Sequence, residues 1–388
     1  METTNGIGVM KKDVYISGMN CITPLGFSVE ENFDNLIGGI SGIKRHENEM
    51  VPNAYFSAIV EDARLNAEFA KKSSSGSYTK LEKMMILALC PIVEKSKSDL
   101  GTRTAFLLST TKGNITALES GNIQKAQLHD LAQTVADFFG FKSEPIVVSN
   151  ACVSGILAIS VAKRLIQSGL YDQAFVVAGD LVSEFVLSGF NSFQAMSDAP
   201  CKPYSKNRTG VTLGEAAAAV LVTSDASHAN ARILGDGSMN DANHISGPSR
   251  TGEGLVLSVE SALKEANLPA NKIDYISAHG TATPFNDEME AIAFNRLGLQ
   301  DKPLHSLKGF YGHTLGASGL LETVIGIEAL KQNKLIASAG FDEIGVSQNV
   351  NVIRENEDRF LRYFLKTASG FGGCNTAVVF EKEGSFGE

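Results

Sequence analysis

At 388 residues the chain exceeds the usual size of a single hydrophobic core, so two subdomains or one large layered domain are expected. Hydrophobic residues make up 43% and charged residues 20%, with 37 Gly and 10 Pro, which is the composition of a globular enzyme and excludes a disordered or fibrous chain. A formal net charge of -9 disfavours nucleic acid as a partner, and the longest apolar stretches, such as 216–222, fall short of the ~18 residues a membrane span requires. The five cysteines, Cys21, Cys90, Cys152, Cys201 and Cys374, are scattered and form no Cys-x-x-Cys pair. Their odd number and spacing argue against a disulfide framework and a metal site. The amino-terminal residues lack a signal-peptide core, so a cytoplasmic location is expected.

In chain order, strand-like runs fall at 13–17, 104–108, 145–148, 174–178 and 217–223, with helical patterns between several of them. After Ser224-Asp225-Ala226-Ser227 a second series begins at 231–234 and continues at 273–277, 304–306, 363–367 and 376–380. The alternation predicts a mostly parallel, layered α/β sheet built as two similar halves, 1–225 and 226–388. No short repeat period of the solenoid or propeller kind is present.

Three residues in small-residue turns stand out. Cys152 lies in Ser149-Asn150-Ala151-Cys152-Val153-Ser154-Gly155, between a strand-like and a helix-like run, where helix N–H groups and the helix dipole favour a thiolate. His279 lies in His279-Gly280-Thr281-Ala282-Thr283 and His313 in Gly312-His313-Thr314-Leu315-Gly316-Ala317. All three are predicted just past strand ends, where open α/β sheets place their ligand sites. A thiol beside two neutral imidazoles suits carbon chemistry at thioesters, because each imidazole can donate an N–H to an oxygen that gains charge as an enolate forms. Lys308, five residues before His313, adds a fixed positive charge. The amide of Cys152 is a natural oxyanion donor, and the turn Gly370-Phe371-Gly372-Gly373 permits the close backbone approach needed for a second.

Taken together, these motifs resemble the β-ketoacyl-acyl carrier protein synthases of the thiolase-like superfamily, in the condensing branch with a Cys-His-His centre. The resemblance covers nearly the whole chain. It rests on residues 17–26, the Cys152 turn, Lys202-Pro203-Tyr204-Ser205 with 210–215, Asp241-Ala242-Asn243-His244 with Pro248, the His279 motif, 308–322 and 370–373. It implies a thiolase-like fold of two α/β halves in five αβαβα layers. It implies that Cys152 accepts the acyl group, that His279 and His313 assist decarboxylation of malonyl-carrier protein, and that Lys308 is their partner. It further implies that Thr281 and Thr283 bind the phosphopantetheine arm, that Phe371 gates the site and completes the oxyanion hole, and that Glu290 and Glu322 are buried carboxylates that support it, with Asp287 at a nearby acidic position.

The implied reaction extends an acyl chain by two carbons, in fatty acid or polyketide-like biosynthesis, aryl polyenes included. It needs no metal or organic cofactor, since the phosphopantetheine arrives on the acyl carrier protein. A dimer is implied, homodimeric or paired with a related synthase or chain-length factor, through the strand edge at 145–149. Acyl carrier proteins are acidic, so Lys206 and Arg208, and after them Lys80 and Lys83, are the candidate docking cations. Two rival readings are a silent chain-length-factor subunit, which would lack the nucleophile, and a non-decarboxylating thiolase with Cys374 as its base. The segment Thr367-Ala368-Ser369 stands where elongating synthases usually carry Asn-Ser-Phe, which puts both the structural cation site of that branch and its second gate aromatic in question.

Overall fold

The computed structural model describes residues 12–47, 54–73, 76–242 and 247–384, so Asn243 and His244 of the fourth motif lie outside the described residues. One mixed sheet organises the chain. Its strands are β1 (Tyr15–Ile22), β2 (Thr104–Ser109), β3 (Ile146–Val148), β4 (Gln173–Asp180), β5 (Ala216–Thr223), β6 (Ala231–Asn240), β7 (Tyr275–Ser277), β8 (Pro303–His305), β9 (Asn351–Val352), β10 (Tyr363–Gly370) and β11 (Cys374–Lys382). The spatial order is β9-β8-β7-β10-β11-β6-β1-β5-β4-β2-β3. The expectation of a mostly parallel sheet is corrected here: β2, β3 and β4 pair parallel on one flank and β7, β8, β9 and β10 on the other. Between them the pairings β4–β5, β5–β1, β1–β6, β6–β11 and β11–β10 are antiparallel. Parallel neighbours need long crossovers, whereas β10 and β11 are joined by the short Phe371–Gly373 turn.

Strand periodicity distributes the core into layers. Along β4, Phe175 and Val177 face a cluster with Leu81, Met85, Leu131 and Val135, while Ala174, Val176 and Ala178 face a second cluster. The outer cluster is covered by α1 (Lys80–Ser96) and α2 (Leu128–Phe139). The second cluster is the centre of the molecule, where α3 (Ser154–Gln167) and α7 (Ser318–Gln332) receive the inner faces of both groups of strands. On the far side, Leu365 and Val379 pack with α5 (Glu253–Ala266) and α6 (Pro284–Arg296). Helix α7 is buried from Ser318 through Leu330, as a helix in the middle layer must be.

The two central helices touch at their amino termini. A Cβ on Gly155 would lie 2.7 Å from the Gly316 carbonyl oxygen, and one on Gly319 would lie 2.8 Å from the Ile156 nitrogen. Only glycine permits this approach, and it brings the two turns carrying Cys152 and His313 together. A second close crossing sets His313 itself: its N–H donates to Thr212 O at 2.6 Å, and Gly214 N–H donates to His313 O at 3.0 Å. A Cβ on Gly214 would stand 1.8 Å from Tyr311 O, an overlap with backbone that no rotamer relieves. Replacing Gly214 with alanine is therefore expected to destabilise the fold by about 3 kcal/mol or more, read from denaturant midpoints. The folded fraction of that variant should also lose turnover, because the clash displaces the His313 turn.

Among the described residues no helix is long and apolar enough to cross a membrane. Among the described residues strand β3 ends the sheet, with β2 as its one neighbour, and its other edge pairs with no strand.

Candidate active site

Cys152 follows β3 and precedes α3, held in a strained turn. Ala151 has φ +43°, a left-handed conformation costly for a residue with a Cβ. Ser154 staples the turn: its Oγ accepts from Asn150 N–H at 2.7 Å and donates to Ala151 O at 2.6 Å. The thiol emerges only 8% exposed, with His313 Nε2 at 3.1 Å from its Sγ. His279 stands beside them, its ring edge-on to that of His313 with centroids 5.3 Å apart. The three ligand-type atoms of Cys152, His279 and His313 all lie within 4.8 Å of one another.

The protons of the two imidazoles follow from their neighbours. An ammonium has only hydrogens to give, so Lys308 Nζ, 3.4 Å from His279 Nδ1, makes that nitrogen an acceptor and leaves the proton on Nε2. His313 Nδ1 lies 3.1 Å from Ser318 Oγ, a pairing that lets Nδ1–H donate and leaves Nε2 a lone pair toward the thiol. His279 thus presents an Nε2–H toward the pocket, and His313 Nε2 faces the thiol.

Burial sets the charges. It holds His279 well below the ordinary histidine range, with Lys308, His313 and Lys366 adding to the effect, and it does the same to His313 with help from Lys308. Both rings are neutral. Burial also pushes the Cys152 thiol up to about 12, aided by Cys374 and opposed by Lys308 and Lys112. The thiolate expected from the helix terminus is outweighed by desolvation, so the resting pair is thiol and neutral imidazole. His313 Nε2, at 3.1 Å, is the ring nitrogen within reach of the thiol proton.

Carboxylates below the surface hold the His279 turn. Glu290 Oε1 accepts from His279 N–H at 2.8 Å, and its Oε2 accepts from Gly280 N–H at 2.7 Å and from the Tyr204 hydroxyl at 2.9 Å. Asp287 accepts from Thr281 N–H at 3.0 Å and Tyr204 N–H at 2.7 Å, while burial pushes it up to about 7. On the opposite side, buried Asp180 at the end of β4 accepts from Thr110, Thr111 and Lys112 and, at 2.8 Å, from Gly316 N–H. It fastens the His313 loop to the end of β4 and to the residues that follow β2. Sequence reading passed it over, because an aspartate closing an apolar strand reads as an ordinary turn residue.

Lys308 Nζ donates to His279 O at 2.6 Å and pairs with Glu322 Oε1 at 2.7 Å. A second lysine, also unforeseen, completes the cluster: Lys366 on β10 is fully buried and pairs with Glu322 Oε2 at 2.7 Å. Burial would raise Glu322, but the two ammonium groups outweigh it and hold the carboxyl below its usual range.

Above these groups opens a cavity of about 390 Å³ with Cys152, His279 and His313 at its base and Thr281 and Thr283 on its wall. The two threonine hydroxyls are 2.8 Å apart. Phe371, 37% exposed, stands at the mouth against Phe190 and Phe193, with centroids at 5.7 and 5.4 Å. Ser369 is buried and donates to Asn375 Oδ1 at 2.7 Å, so its position offers no second gate ring. The aromatic partners come instead from α4 (Glu184–Ser192) and the residue that ends it. A Cβ on Gly370 would lie 3.0 Å from Cys152 N, which puts the Phe371 turn directly against the Cys152 amide.

The expected docking cations separate. Lys206 has a 63% exposed side chain and a long contact, 3.4 Å, to Glu343. Arg208 turns inward, its side chain 8% exposed, with Nη1 donating to Ser205 O and Gly345 O and Nε facing Asp287 at 3.7 Å. Its charge is absorbed by carbonyls and a buried carboxylate, which corrects its expected place on the surface. Lys80 is likewise occupied by Val60 O, Asp62 and Glu215, and Lys83 by Asn66.

Residues 93–228 match the beta-ketoacyl synthase N-terminal domain and residues 230–342 the beta-ketoacyl synthase C-terminal domain. The chain belongs to the β-ketoacyl synthase family. The synthase is 27% identical to 3-oxoacyl-(acyl-carrier-protein) synthase 2 of Vibrio harveyi over 96% of this chain and 99% of that one. The enzyme of the same name from Staphylococcus aureus strain COL is 27% identical, over 96% and 98% of the two chains. Among solved structures, a ketosynthase in complex with its chain length factor from Xenorhabdus doucetiae matches with a TM-score of 0.84 and 24% identity, covering 96% of this chain and 98% of that one. The likeness gives the synthase the thiolase-like fold of that group and the condensing, acyl-transferring chemistry of its family.

Proposed function

We propose that this synthase extends an acyl chain on Cys152 by decarboxylative Claisen condensation with malonyl-carrier protein. The observation that carries the reading is the 3.1 Å contact between Cys152 Sγ and His313 Nε2, with the second imidazole beside it at the base of one cavity. In the first half-reaction Sγ attacks the thioester carbonyl of an acyl-carrier protein, and His313 takes the thiol proton and passes it to the departing pantetheine thiolate. The tetrahedral oxyanion sits against the N–H groups of Cys152 and Phe371. In the second, the malonyl carboxylate leaves as carbon dioxide and its electron pair forms a thioester enolate whose oxygen accepts from His279 Nε2–H. The enolate carbon attacks the acyl-cysteine carbonyl, and the Cys152 sulfur departs with its electron pair and takes a proton from solvent, through His313, to restore the resting thiol.

Thr281 and Thr283 hold the pantetheine arm, and Phe371 with Phe190 and Phe193 closes over it. No metal or organic cofactor takes part. The halves 1–225 and 226–388 contribute nucleophile and histidines respectively, and the free edge of β3 pairs two protomers, alike or not, in the cytoplasm. The thiolase alternative fares poorly, because Cys374 Sγ faces the carbonyl oxygens of Asn150 and Phe371 and does not line the cavity. The silent-subunit alternative has no nucleophile, and this chain has one in contact with its base.

The test is extension of a panel of acyl-carrier proteins by malonyl-carrier protein, with products read by mass. An intact protein that yields no 3-oxoacyl product and acquires no acyl adduct on Cys152 would overturn the reading. For docking, Lys206→Glu is expected to raise KM for carrier protein about threefold to tenfold with kcat nearly unchanged, as rim charges do. Arg208→Ala should instead lower stability with little specific effect on KM, since its guanidinium faces inward.

A further inference from the structure

Lys366 is a charge with no evident business inside a strand. Its Nζ is surrounded by oxygen: Glu322 Oε2 at 2.7 Å, Ser277 O at 3.0 Å, Thr367 O at 2.5 Å and Ala278 O at 3.5 Å. Glu322 Oε2 has no aligned hydrogen-bond partner among the described residues and meets this ammonium as an ion pair. Three backbone carbonyls and one carboxylate, fully buried, are the donor set of a site for a dehydrated monovalent cation. A mobile ion does not fit here, because the ammonium already stands where it would stand.

The oxygens come from different elements. Ser277 and Ala278 lead directly into His279, Thr367 belongs to the strand that ends in the Phe371 turn, and Glu322 lies on α7 and also carries Lys308. One positive charge therefore ties the backbone before His279 to the gate strand and to the lysine behind His279.

We propose that Lys366 is a tethered cation, a positioning residue whose ammonium fills a monovalent-cation site and clamps the His279 turn in place of a free ion. The kinetic consequence rests on the role given to His279 above, whereas the binding consequence does not.

The test vacates the site. Lys366→Ala is expected to lose stability and at least about tenfold in kcat in tetramethylammonium chloride, a cation too large to enter, as breaking a buried pair should. Potassium, ammonium or rubidium chloride at the same ionic strength should restore both in a saturable manner. A crystal of Lys366→Ala grown with rubidium should show an anomalous peak among these oxygens. Lys366→Met, which fills the space without charge, should be impaired in every salt, and the unchanged synthase should be indifferent to the choice.

Three results would overturn the proposal: potassium dependence of the unchanged synthase; Lys366→Ala equally stable and active in all salts; or Lys366→Ala impaired or unfolded in every salt, with no cation response in melting temperature. If condensation is absent from the unchanged protein but the rubidium peak and the salt-dependent melting appear, the catalytic reading fails and the clamp stands.

Discussion

Replacing Cys152 with alanine is expected to abolish acyl-enzyme formation and to reduce chain extension by about 10³-fold or more, the loss seen when a nucleophile is removed from a group of residues that act together. The fold should survive, because the side chain shrinks by one sulfur at the base of an open cavity and the turn is stapled by Ser154, not by the thiol. The decisive readout is intact-protein mass after exposure to an acyl-carrier protein: one acyl group on the unchanged synthase and none on the variant. Release of carbon dioxide from malonyl-carrier protein should fall less than extension does. In the proposed mechanism that step leans on His279 Nε2–H, and Lys308 contacts that ring independently of the sulfur. Equal acylation of the variant would move the nucleophile elsewhere, with Cys374 the next sulfur along the same turn contacts.

Much of this arrangement was legible in residues. Every one of the ten strand runs falls on a strand, and Cys152, His279 and His313 meet as their small-residue turns implied. What sequence could not give was the direction of neighbouring strands, since apolar alternation is the same for either. Strand β6 runs to Asn240, well past its predicted end, because Gly235 and Gly237 weaken the pattern there. Their Cβ atoms would lie 2.2 Å from carbonyl oxygens of α5, so the strand needs glycine where a strand signal needs bulk.

Charged residues were the harder case. Lys366 in Tyr363-Phe364-Leu365-Lys366-Thr367 reads as an outward residue on an alternating strand, and Arg208 in Ser205-Lys206-Asn207-Arg208 reads as a solvated loop cation. Lys366 is buried and Arg208 is turned inward because oxygens from distant segments converge on them: Ser277, Ala278 and Glu322 on the first, Gly345 and Asp287 on the second. Their partners lie tens of residues or more away along the chain, beyond the reach of any local pattern.

Glu322→Ala is the substitution expected to cost the most stability. It strips the shared counter-ion from two buried ammonium groups at once, Lys308 and Lys366, each paired with it at 2.7 Å. Breaking one buried pair by removing a partner costs about 3–5 kcal/mol, and the two losses overlap without simply adding, since they share a site. The variant should unfold at a clearly lower denaturant concentration, with the midpoint, not the slope, carrying the change. Its pH dependence separates this cause from a simple cavity. In the unchanged protein Glu322 titrates below its unfolded value, so its contribution is full above the ordinary carboxyl range and fades as pH falls through its depressed native value. In the variant that contribution is gone, and the dominant group becomes Lys366, which burial already holds below the ordinary lysine range against the opposing pull of Glu322. Without that pull its native pKa falls further, the unfolded chain binds the extra proton, and stability rises with pH across the alkaline range. A Glu322→Ala deficit that narrows between neutral and alkaline pH is the expected signature. A deficit of constant size over that range would mean that the cluster is held by packing and that its charges contribute little.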